Sequence, residues 1–165
     1  MPGTWGISRV VLAAAISLVS VYPQNTLDDL RGRYTRESDP VRRAKLLPKL
    51  GDAEFQEVQK HISDGSLPDA IAGVRQYRDQ AQSCVTDLDA REPDPEKHPS
   101  GFKQLQISLR ESLRRLDDMM ASLTGDEQKQ FRELRGDLEK MDRHVIHELF
   151  PRQPVGEAGP GKSKN

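Results

Sequence analysis

From Ser100 to Phe150 the chain reads SGFKQLQISLRESLRRLDDMMASLTGDEQKQFRELRGDLEKMDRHVIHELF, one pattern written twice. In the first half Phe102, Leu105, Leu109, Leu113, Leu116, Met120 and Leu123 recur at steps of three and four. At about 100° per residue they fall on one narrow stripe of a helix. Lys103, Gln104, Gln106, Arg110, Glu111, Arg114, Arg115, Asp117 and Asp118 keep the other faces polar, so this helix has one seam to bury. The second half repeats the stripe with Phe131, Leu134, Leu138, Met141, Val145 and Leu149. Its start is marked by Thr124-Gly125-Asp126-Glu127, a capping-box spacing in which the threonine hydroxyl caps a later amide and the glutamate reaches back. Its end is marked by Pro151, because a residue before proline is pushed out of the helical region. The short connection predicts an antiparallel hairpin, seam against seam.

Upstream lies a proline-rich linker, residues 92–99, and before it two more long helices are expected. Leu67, Ile71, Val74, Tyr77, Ala81, Val85 and Leu88 form the stripe of one, ending near Arg91. The other runs from Pro40 to about Ser63, where Ala44, Leu47, Gly51, Phe55, Val58 and Ile62 keep a single register through Pro48 and Gly51. Both residues disfavour a helix interior, so a kink near Pro48 is predicted. Leu46 and Leu50 point away from that stripe, and a short helix opened by Asn25, with Leu27, Leu30 and Tyr34 as its large apolar residues, is the expected cover.

Asp64-Gly65-Ser66 joins the two long helices, with Gly65 suited to a left-handed helix terminus. Gly65 opening a turn, followed by Ala70 and Ile71 as a small and then a larger residue, resembles a single tetratricopeptide-repeat hairpin over Ala53 to Ala81. Val58 and Tyr77 depart from that pattern, since the family places small residues there, and no second copy follows at the repeat spacing. The resemblance implies a helix-hairpin packing style and a protein-binding surface.

At the N-terminus, Arg9 precedes the apolar run Val10 to Val21, and Pro23 follows. Such a run is too short for a membrane span of about 20 residues but matches a signal-peptide core. Residues 1–24 are therefore read as a signal peptide, with a retained N-terminal anchor as the alternative and a buried helix as the third reading. Residues 25–150 make the helical domain, and residues 151–165, rich in Pro, Gly and Lys, are expected to be a disordered tail.

Composition narrows the function. In 165 residues, 35% are hydrophobic and 31% charged, enough to fill helical seams but not the broad core of a large α/β enzyme. The formal net charge of −1, without a long one-signed block, gives no nucleic-acid face. Cys84 is the single cysteine, which excludes an intrachain disulfide and a cysteine-based zinc site, and its place at the edge of the apolar stripe points to packing.

One constellation could hold a metal: His144, His147 and Glu148, two imidazoles three apart with a neighbouring carboxylate. The spacing is neither that of zinc proteases nor that of di-iron bundles, so a solvated helix face is the competing reading. Arg42, Arg43, Lys45 and Lys49 form one basic cluster, and Arg110, Arg114 and Arg115 another. Either could attract a phosphate or an acidic partner, or pair with the interleaved acids.

Together these readings predict an all-α protein, a small helical bundle of about five helices built from antiparallel hairpins. The chain resembles helical proteins of bacterial envelopes. Its expected role is a non-enzymatic protein-interaction or scaffolding module, exported to the periplasm or the exterior, with no cofactor and no nucleic acid. Membrane contact is expected only through an uncleaved N-terminal segment. A protein partner, or a second copy of the chain completing the seams, is the expected ligand. A bundle binding a metal or small anion and a cytosolic helical adaptor are the alternatives.

Overall fold

The computed structural model describes residues 24–92 and 94–151, with side chains from residue 27 onward. The expected leader at 1–24 and tail at 151–165 lie outside these residues, except for Gln24 and Pro151. The fold is all-α. Five helices occur among the described residues: α1 Gln24–Arg36, α2 Pro40–Ser63, α3 Leu67–Arg91, α4 Ser100–Met120 and α5 Gln128–Leu149.

Local chemistry explains most of the boundaries. Asp39 caps α2 by accepting from the Arg42 amide at 2.7 Å, and Pro40 occupies the first turn, where a missing amide costs nothing. The helix then runs unbroken through Pro48 and Gly51. It ends at Ser63, and just beyond the Asp64 cap Gly65 has a φ of 75°, the left-handed conformation that glycine adopts freely, while the Ser66 amide bonds back to His61 at 2.8 Å. Asn25, the expected cap of α1, sits one residue inside the helix, which Gln24, a good helix former, already starts.

At α5 the predicted capping box forms only by half. The Glu127 carboxylate accepts from the Thr124 amide at 2.8 Å, but the Thr124 hydroxyl donates to the same carboxylate at 2.7 Å instead of accepting from a backbone amide. The helix therefore starts later, at Gln128, whose side-chain amide donates to the carbonyls of Met120 and Leu123 and so closes the end of α4.

Cross-helix pairs give the topology. Glu54 meets Gln80 and Arg43 meets Asp87, so α2 and α3 are antiparallel; Asp117 meets Arg135 and Arg110 meets Asp142, so α4 and α5 are antiparallel as well. The two hairpins stack with α2 along α4, where Asp52 pairs with Arg115. On the other side α3 lies along α5, where Arg78 pairs with Asp137 at 2.9 Å and Asp89 with His144 at 2.8 Å. The two stacked pairs are parallel. The diagonal is closed by α3 and α4, with the Tyr77 hydroxyl 2.9 Å from Ser108 Oγ. Helix α1 packs on the outside of α2, and there it buries Leu30 and Tyr34 while Leu50 is fully covered.

The core is continuous through both hairpins. Its buried strip on α4 differs from the predicted one: Gly101, Ser108 and Ser112 are buried, whereas Leu113, Met120 and Leu123 are only half covered. The reason is that α4 faces α2, α3 and α5 at once, so its buried arc turns toward Tyr77, whose hydroxyl meets Ser108.

Candidate functional site

The residues proposed for metal binding are drawn apart. His144 Nε2 reaches across to Asp89 Oδ2 of α3 at 2.8 Å, while His147 Nδ1 is 3.4 Å from the adjacent Glu148 carboxylate. Among the described residues no group of three or more His, Cys, Asp or Glu side chains converges as a metal site. The register of α5 on α3 commits His144 to an interhelical tie with Asp89, which His147 and Glu148 do not join.

The basic clusters divide in two. Arg43 pairs with Asp87 and donates to the Glu37 carbonyl from Nε at 3.0 Å and Nη2 at 2.7 Å; Arg115 pairs with Asp52; Arg110 lies 3.8 Å from Asp142. The partners expected on the same helix are instead on neighbouring ones, and these arginines stitch elements together.

Of the remaining cations, Arg42 and Lys45 join two arginines of α1. The three-residue turn from α1 to α2 is held by Arg43 on the Glu37 carbonyl, by the Glu37 carboxylate accepting from the Asp39 amide at 3.0 Å, and by the Arg43 guanidinium 5.6 Å over the Tyr34 ring. That turn brings Arg33 and Arg36, in the last turn of α1, beside Arg42 and Lys45 in the first turns of α2. Together with Glu37 and half-buried Leu46 they line an open groove of about 450 Å³. Glu37, 3.4 Å from Arg42 Nε, is the acid within it. Among the described residues Arg33, Arg36 and Lys45 form no ion pair. Cations at a helix C-terminus are favoured by the helix dipole, which explains why Arg33 and Arg36 are tolerated there. It does not explain why two further cations face them across a locked turn. Sequence reading grouped Arg42 and Lys45 but missed Arg33 and Arg36; the signal was the short Glu37-Ser38-Asp39 connection, which folds the two basic turns onto each other.

A second groove, of about 540 Å³, lies on the other flank of α1 between Tyr34, Thr35, Arg75, Gln76, Asp79 and Ser83. Its walls are mixed in charge.

The interior buries several polar groups. Burial pushes the Tyr77 hydroxyl and the Cys84 thiol each up to about 12, and raises Tyr34 far above the ordinary tyrosine value, so all three are neutral at physiological pH. Glu54 is raised as well, chiefly by burial, against the opposing pull of Arg31 and Gln80. No family model, curated protein or solved structure matches this chain.

Proposed function

We propose that this chain is a non-enzymatic helical interaction module that docks an acidic segment of a protein partner in the groove formed by Arg33, Arg36, Arg42 and Lys45. The carrying observation is that four cations line one groove at a locked turn and that three of them make no ion pair among the described residues. Unpaired charge gathered on a locked turn is preorganised for an anion, and half-buried Leu46 on its floor suits a peptide that carries an apolar residue beside its acids. The resemblance of Ala53 to Ala81 to a tetratricopeptide hairpin points to the same class of role.

Fluorescence anisotropy of a labelled polyglutamate peptide against the full chain tests this reading. The peptide binds, binding weakens with salt, and Arg33→Glu with Arg36→Glu and Lys45→Glu abolishes it, whereas Lys103→Glu with Arg114→Glu on exposed α4 positions leaves it intact. Equal binding by both variants removes the groove from the account. Binding only to phosphatidylglycerol vesicles replaces the protein partner with an anionic membrane surface.

The same reading takes residues 1–24 as an export leader, so the partner is met outside the cytoplasm. Intact mass of the protein from fractionated host cells checks this: a form lacking about 20–24 N-terminal residues outside the cytoplasm supports it. A full-length cytoplasmic form turns the module into a cytosolic adaptor. No helix among the described residues is long and apolar enough to cross a membrane.

A further inference from the structure

Glu54 sits on α2 with 1% of its surface exposed, clasped between α1 and α3. Its Oε1 accepts from Arg31 Nε at 3.0 Å and from Gln80 Nε2 at 3.0 Å. Its Oε2 is buried without a donor, and so is Oε1 of the same Gln80. Buried acceptors are almost always satisfied, because each one left bare forfeits its hydration. Here both bare atoms belong to two groups that already share one hydrogen bond, so one added hydrogen between them would satisfy both.

A carboxylic acid and a primary amide can bond twice in one planar ring, amide N–H to one carboxyl oxygen and acid O–H to the amide oxygen. We propose that Glu54 is carried in the folded protein as the neutral acid, its Oε2–H donating to Gln80 Oε1, and that this proton clasps α2 to α3. No covalent step is involved, only retention of a proton that the unfolded chain releases.

The groups facing Glu54 decide whether the proton stays. From α1 comes Arg31, which favours the anion, but its side chain is 32% exposed and lies 3.9 Å from Asp28 as well. From α3 come Gln80 and the buried, neutral Tyr77. From α4, Arg115 reaches α2 and is taken there by Asp52. Burial outweighs Arg31 and raises Glu54 above the ordinary glutamate range. For an acid raised on folding, the stabilisation is complete below the unfolded value of about 4.3 and is lost as pH rises through the folded value. Each unit between the two is tenfold in the folding constant.

The clasp is independent of what docks in the cationic groove. Carbon-13 titration of the glutamate carboxyls in the full chain tests it directly: one carboxyl, absent from Glu54→Gln, stays protonated to a higher pH than the other glutamates. Glu54→Gln mimics the acid, since its amide can donate to Gln80 Oε1. It is expected to melt at or above the wild-type temperature at neutral pH and to flatten the fall in stability above about pH 5. If Glu54 titrates with the other glutamates, or Glu54→Gln melts below wild type at neutral pH with the pH profile unchanged, the group is an ionised partner of Arg31 and the proposal fails. Should the variant not fold, the wild-type titration still decides.

Discussion

Gly51 and Gly136 carry the same intrinsic helix penalty and meet opposite surroundings. A Cβ at Gly51 would stand 2.8 Å from Cε2 of the fully buried Tyr77 ring, whereas nothing lies within 4 Å of one at Gly136. Gly136→Ala is therefore expected to stabilise the protein by about 0.5–1 kcal/mol, and Gly51→Ala to destabilise it by about 1–3, although alanine is the better helix former in both. Urea denaturation of the two variants reads the sign directly. The two long helices pack by the same rule: large Tyr77 lies over Gly51 and large Val58 over Gly73, each meeting a glycine on the opposite helix. Cys84 is equally defined by its surroundings. Fully buried, with its thiol pushed up to about 12, it is expected to stay unreactive toward a thiol reagent at about pH 8 until the chain unfolds. Rapid labelling of the native protein would contradict this.

Among the elements, the helices were readable from spacing because an apolar stripe repeats whatever it packs against. Pro40 to Ser63 and Leu67 to Arg91 have the bounds that were read, and the first passes through Pro48 and Gly51. What spacing could not supply was which arc of α4 turns inward, because a helix with three neighbours buries more than one stripe. Leu116 is fully buried while Leu113 is half covered, so Leu116→Ala is expected to cost about 2–5 kcal/mol and Leu113→Ala clearly less, near 1. Equal losses in thermal or urea unfolding would restore the original stripe. Likewise the start of α5 slipped past the capping box, because the Thr124 hydroxyl found the Glu127 carboxylate before any backbone amide.

For the whole molecule, two stacked hairpins share one core, and among the described residues α1 has α2 as its one backbone neighbour. Native-state hydrogen exchange is accordingly expected to show α1 opening at a lower free energy than the central turns of α2 to α5. Uniform protection across all five helices would show instead that the Arg31–Glu54–Gln80 and Tyr34–Gln80 bonds make α1 part of the cooperative unit. Periodicity, caps and breakers were enough for the all-α class, the five helices, their approximate ends and the pairing of neighbours into hairpins, because these depend on chemistry within a few residues of the chain. Stacking of the hairpins, burial of Ser108 and Ser112, the commitment of His144 to Asp89, the cationic groove and the Glu54–Gln80 clasp were settled only in the folded molecule. Each of them depends on which residues far apart in sequence become neighbours, and one-dimensional spacing carries no record of the partner across the gap.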